Sequence, residues 1–84
     1  MEFRYTRQQT ARGSRPDAKV GDTWYLLKNV SRLRLTYQIR LLTFAAMEAR
    51  ARLVVRVPKM CRLSSHLREF VKENKKILTI ERVS

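Results

Sequence analysis

The sequence contains few glycines, a single cysteine and no long apolar run, and each shortage excludes a class of protein. Its only glycines are Gly13 and Gly21, so neither a glycine-rich phosphate-binding loop nor a dinucleotide-binding fingerprint can be formed. A single cysteine, Cys61, cannot form an internal disulfide and is typical of a reducing compartment. No apolar run approaches the ~20 residues that span a bilayer, and no secretory leader pattern follows Met1. We therefore expect a cytoplasmic protein with no nucleotide cofactor and no integral membrane association.

Side chains that could carry enzyme chemistry are equally scarce. The single histidine, His66, lies five positions after Cys61, but a zinc site needs about four ligands and a thiol nucleophile needs a base beside it. Ser64 and Ser65 precede an amphipathic segment, where serine usually caps a helix. A buried thiol near a capped helix start is therefore the interpretation that these residues favour.

The acidic residues do not suggest a metal-dependent nuclease, which would need two or three converging carboxylates. Glu69 and Glu73 lie one helical turn apart, but they alternate with basic side chains, which favours surface ion pairs. Glu48 and Glu81 are isolated in the sequence. We predict no catalytic, metal or cofactor site, and hence no enzyme.

Basic residues dominate what is present. Nineteen Lys and Arg stand against seven Asp and Glu, which gives a net charge of +12 and a pI near 11.1. Thirteen of the nineteen are Arg, whose planar fork pairs with phosphate and carboxylate groups, although GC-rich coding also favours Arg. The electrostatic field of such a positive net charge attracts polyanions. The charge therefore predicts a nucleic acid (DNA or RNA) or an acidic protein as partner.

The charge is distributed over two regions of the chain. Residues 1–16 are predicted to form a basic N-terminal arm, with a short strand possible at 2–6, because Gly13 and Pro16 interrupt regular structure. Such an arm either contacts phosphates or is a solvated tail. Residues 17–84 are predicted to form one small α/β domain.

The pattern after residue 17 predicts an α/β or α+β fold with a single-layer sheet of about three to five strands and two helices. Strands are predicted at 23–28, 52–57 and 77–83, from runs of β-branched and aromatic residues bounded by turn residues. Helices are predicted at about 38–50 and from Ser64 or Ser65 to about Asn74. The strand, helix and strand after residue 52 form a βαβ unit, whose strands are normally parallel.

One segment supports two interpretations. From Arg32 to Leu41 apolar and polar residues alternate, which predicts a strand. Leu35, Ile39 and Leu42 also follow the 3.6-residue period of a helix. We expect an extended chain to about residue 36 and a helix from about 38.

Two cation clusters lie in the folded region. Arg32, Arg34 and Arg40 share one face if their segment is extended, and aromatic rings at Trp24 or Tyr25 would complete a platform for single-stranded nucleic acid. We favour packing roles for Trp24, Tyr25 and Tyr37 over stacking. The second cluster runs from Arg50 to Arg62 without an acid, and is either a phosphate-contacting patch near a helix N-terminus or a charged strand edge.

The sequence thus predicts a small nucleic-acid-binding accessory protein that acts mainly through phosphate contacts, although it carries no helix-turn-helix, RNP, GXXG or zinc-finger motif. The alternative is a module that docks on an acidic protein, such as a mobile-element or phage-encoded regulator. Binding to anionic lipids is less favoured. The sequence is also compatible with a homodimer formed through a sheet edge. The predicted nucleic-acid-binding residues are Arg4, Arg7, Arg12, Arg15, Arg32, Arg34, Arg40, Arg52, Arg56 and Lys59.

Overall fold

The computed structural model describes residues 15–83, so the predicted arm lies outside the described residues as far as residue 14. Within this range the chain forms an α+β fold, as predicted. The strands are β1 (Ala18–Val20), β2 (Thr23–Leu27), β3 (Arg32–Leu33), β4 (Arg52–Pro58), β5 (Arg62–Leu63) and β6 (Leu78–Val83), and the helices are α1 (Tyr37–Glu48) and α2 (Ser65–Glu73).

Four strands form the main sheet in the order β1-β2-β4-β6. β1 is antiparallel to β2, whereas β2, β4 and β6 are mutually parallel. Helix α2 connects β4 to β6, which confirms the predicted βαβ unit, and helix α1 connects β2 to β4 in a second one. The short strands β3 and β5 pair in parallel as a separate ribbon, with Arg32 opposite Arg62.

The core lies between the main sheet and the two helices. Along β4, Leu53, Val55 and Val57 are buried, and the alternate residues face the other way, as the period of two requires. Ile39 of α1 and Leu67 of α2 are buried in the same cluster, so both helices cover one face of the sheet. We call the other face, which neither α1 nor α2 covers, the open face.

Helix α1 begins and ends with specific backbone contacts. Thr36 caps it by accepting a hydrogen bond from the Ile39 amide (3.2 Å), and the helix starts within one residue of the predicted position. At its end the amides of Arg50 and Ala51 donate to the carbonyls of Met47 and Ala46. This Schellman motif requires a left-handed residue, normally glycine, yet here Arg50 takes a φ of 58°.

The start of the sheet differs from the sequence prediction. The first predicted strand of the folded region begins at residue 23, but Lys19 and Val20 already belong to β1, and the turn between β1 and β2 contains only Gly21 and Asp22. Gly21 adopts a φ of 61°, which glycine takes without strain. Three residues are too few for an alternation pattern to reveal β1.

Candidate functional site

The predicted nucleic-acid-binding residues do not form one continuous patch. Arg4, Arg7 and Arg12 lie outside the described residues, and the other seven are exposed. Arg52 begins β4, whereas Lys59 follows its last residue. Because a strand rises about 3.3 Å per residue, the two are roughly 20 Å apart. The run from Arg50 to Arg62 is therefore divided between opposite ends of the sheet.

Helix α1 also divides the other predicted cluster. Arg40 is helical, so it does not share an extended face with Arg32 and Arg34. Those two arginines do lie on one side, because Leu33 between them is buried and Leu35 packs against the core. The strand interpretation thus holds only for the first residues of the alternating segment.

Arg56 has partners within the protein. Its Nε atom donates to Glu81 Oε1 at 2.6 Å, and its guanidinium lies 4.8 Å from the centre of the Tyr25 ring, on the open face. The hydrogen bond to Glu81 and the charge of that carboxylate raise the pKa of Arg56. A phosphate would have to compete with Glu81 for this side chain.

Three arginines meet at the β3–β5 ribbon. They surround a cavity of about 320 Å³, which we call the arginine pocket, and its lining residues are Arg32, Arg34, Arg62, Leu63 and Ser64. The Arg62 amide donates to the Ser31 carbonyl (2.9 Å) and the Ser64 amide to the Leu33 carbonyl (3.0 Å), which fixes the register of the two segments. None of the acidic side chains that the structure describes lines the pocket.

The N-terminus of α2 adjoins this pocket. Ser64 caps the helix, since its Oγ accepts a hydrogen bond from the Leu67 amide (3.1 Å). The amides of Ser65 and His66, at the first two helical positions, have no acceptor within the helix. The N-terminal end of a helix carries partial positive charge, so it adds to the field of the three arginines.

The aromatic rings of Trp24, Tyr25 and Tyr37 do not assemble into a stacking platform. Trp24 packs against the core, with Lys19 Nζ 4.7 Å from its ring centre. Tyr25 is half-buried on the open face beneath Arg56. Tyr37 is 70% exposed at the first position of α1, so the packing role expected for it is wrong. The three rings therefore lie on different surfaces.

Cys61 and His66 occupy different environments. Cys61 is 2% exposed, whereas His66 is exposed at the second position of α2. The Cys61 thiol lies 3.7 Å from the Arg62 carbonyl oxygen, a weak contact. Across residues 15–83 no three His, Cys, Asp or Glu side chains are grouped so that they could hold a metal ion.

The open face carries a second concave surface, at the carboxyl ends of the parallel strands. This depression has a volume of about 500 Å³, and its lining residues are Leu27, Lys28, Asn29, Arg56, Val57, Pro58 and Val83. Leu27 is 56% exposed and Val83 is 42% exposed. The depression thus combines apolar side chains with two cations.

Comparisons with protein-family models, with curated proteins and with solved structures found no match to this chain. Neither of the two helices between residues 15 and 83 is long and apolar enough to cross a membrane. We therefore infer function from the charge and geometry of the described residues.

Proposed function

We propose that this protein binds nucleic acid without catalysing a reaction, and that it does so mainly through phosphate contacts. The observation that carries the proposal is the shortage of internal partners for its cations. Residues 15–83 contain sixteen basic and six acidic side chains, and the ion pair between Arg56 and Glu81 is the only one formed within this range. Lys28 and Arg82 donate hydrogen bonds to neutral groups of the protein, and most of the other cations are exposed, so they can contact an external polyanion.

The distribution of these cations favours phosphate contacts over base recognition. Arg40, Arg52 and Lys59 lie on a helix and at both ends of a strand, and no aromatic platform formed by residues 15–83 accompanies them. Phosphate contacts hold a protein on nucleic acid without reading its sequence, whereas base contacts need side chains aligned along one groove or one strand. We therefore expect affinity with little sequence preference.

A salt titration tests this proposal. Fluorescence anisotropy would measure binding of the full chain to labelled single-stranded and duplex DNA and RNA at several salt concentrations, after the 260/280 nm absorbance ratio has shown whether nucleic acid copurifies. If about six cations contact phosphates on duplex DNA, log K should fall with log salt at a slope of about −5. Absence of binding to all four probes, or binding that ignores salt, would refute the proposal.

The depression on the open face favours a second candidate function, docking on an acidic protein. Leu27 and Val83 would supply apolar contacts, and Lys28 would supply charge at the rim. A pull-down from nuclease-treated lysate would compare the wild type with Leu27→Asp and, as a matched surface control, Leu27→Met. Stoichiometric capture of one protein that only Leu27→Asp abolishes would favour this candidate over nucleic acid.

A further inference from the structure

We propose that the arginine pocket anchors one phosphate group of the bound nucleic acid, an inference that rests on the proposed function. Three of the exposed cations would then form one defined phosphate-binding site. One of them, Arg62, is not among the nucleic-acid-binding residues predicted from the sequence. The other cations would add further phosphate contacts, while the pocket fixes how the nucleic acid lies on the protein.

Convergence of like charges is the first argument. Arg32 and Arg62 are direct partners on adjacent parallel strands, which lie about 4.8 Å apart, and Arg34 lines the same cavity. The strand spacing brings the bases of these side chains together, and like charges that share one cavity repel each other unless an anion lies between them. Among residues 15–83 no acid lines the pocket, and none of its arginines forms an ion pair with another residue of this range. An external anion would therefore relieve the repulsion.

The donors available in the pocket indicate which anion fits. Guanidinium groups present paired N–H donors that match two oxygens of a phosphate or a carboxylate. The amides of Ser65 and His66, which have no acceptor within α2, directly follow the lining residue Ser64, and helix N-termini commonly offer such donors to phosphate. A terminal phosphate presents three charged oxygens, and an internal phosphodiester presents two on a tetrahedral centre. Both can meet donors from several directions, whereas the two oxygens of a carboxylate lie in one plane.

The pocket is also fixed in place by the fold. Leu33 anchors β3 in the core, and the amides of Arg62 and Ser64 hold β5 against it. The backbone from which the three arginines extend is therefore ordered before a ligand arrives, which lowers the conformational cost of binding.

The test compares pocket variants with a matched control in the salt titration described above. Arg62→Gln and Arg32→Gln each remove one positive charge from the pocket. Lys76→Gln removes one positive charge from an exposed residue just beyond the C-terminal end of α2. Loss of a charged hydrogen-bonding partner should weaken binding by about tenfold or more and reduce the salt slope by about 1. Lys76→Gln should weaken binding by no more than about twofold.

Two further comparisons sharpen the outcome. Arg62→Lys keeps the charge but not the planar fork, so it should bind less tightly than wild type and more tightly than Arg62→Gln. Oligonucleotides of one sequence with a 5′-phosphate or a 5′-hydroxyl distinguish the source of the phosphate. Tighter binding of the phosphorylated strand by wild type, but not by Arg62→Gln, assigns the pocket to a strand end; equal binding of both strands, with both weakened by Arg62→Gln, assigns it to the internal backbone.

The possible failures can be told apart. Suppose that the affinity of wild type for nucleic acid falls steeply as salt rises, but that Arg62→Gln and Lys76→Gln weaken binding equally. The pocket inference is then overturned and the proposed function stands. If wild type binds no nucleic acid, the proposed function fails, and NMR titration with pyrophosphate then decides the pocket alone. Shifts of the Ser65 and His66 amides that Arg62→Gln abolishes would keep a phosphate site, and unmoved amides would remove it.

Discussion

Replacing Arg50 with glycine should stabilise the protein, because Arg50 occupies the left-handed position that ends α1. A left-handed conformation costs an L-residue about 1–2 kcal/mol. Glycine avoids this cost but loses more conformational freedom on folding, by about 0.5–1 kcal/mol. The net gain should be about 0.5–1 kcal/mol in the free energy of unfolding. For a folded region of this size, that gain corresponds to a rise in Tm of roughly 2–8 °C.

Urea denaturation of the wild type, Arg50→Gly and Arg50→Ala would measure this effect. Arg50→Ala removes the same charge but keeps a Cβ atom in the left-handed conformation. It should therefore leave the unfolding midpoint close to that of the wild type, while Arg50→Gly moves it upward with an unchanged m-value. Equal stabilisation by both variants would show that charge relief is the cause, and the backbone explanation would be wrong.

Three other predictions follow from the described contacts. Leu53→Ala opens a cavity in the central strand, where Leu53 is fully buried, and should lower the free energy of unfolding by about 2–5 kcal/mol, measured by urea denaturation with Leu53→Met as the milder control. Cys61 should react with Ellman's reagent only as the protein unfolds, because its thiol is buried; fast labelling of the native protein would contradict this burial. Glu81→Gln frees Arg56 and adds one positive charge to the net charge, so it should tighten nucleic-acid binding at low salt and steepen the salt slope, whereas unchanged binding would show that Arg56 is not used.

The two helices and the three parallel strands could be predicted because each carries a local signal. Helix α1 follows the 3.6-residue period of Leu35, Ile39 and Leu42. Helix α2 begins at the predicted serine cap, where Ser64 Oγ accepts a hydrogen bond from the Leu67 amide. Strand β4 was visible as a β-branched run that ends at Pro58. Strands β3 and β5 were not predicted as a pair, because each is two residues long and exists only through the other.

The candidate site was less predictable than the fold. Arg32 and Arg34 were predicted from the sequence as binding residues. Arg62 was placed in one cluster with Arg52, but the length of β4 separates these two arginines. The pairing of Arg32 with Arg62 depends on the register of a ribbon whose two strands are separated in the chain by α1 and β4. No periodicity within either segment encodes that register. The only local signal was the serine cap, which placed a helix N-terminus close to Arg62.

The parallel arrangement of the strands has a consequence for how the chain folds. Thr23 pairs with Arg52, Leu53 with Leu78 and Arg32 with Arg62, so each pairing closes a long loop of chain. Such non-local pairings slow folding relative to helical bundles of the same length. Because the arginine pocket requires the pairing of Arg32 with Arg62, a phosphate ligand would bind only a chain in which this pairing has formed. Binding would then stabilise the folded state by mass action, and the midpoint of thermal unfolding would itself report occupancy of the pocket.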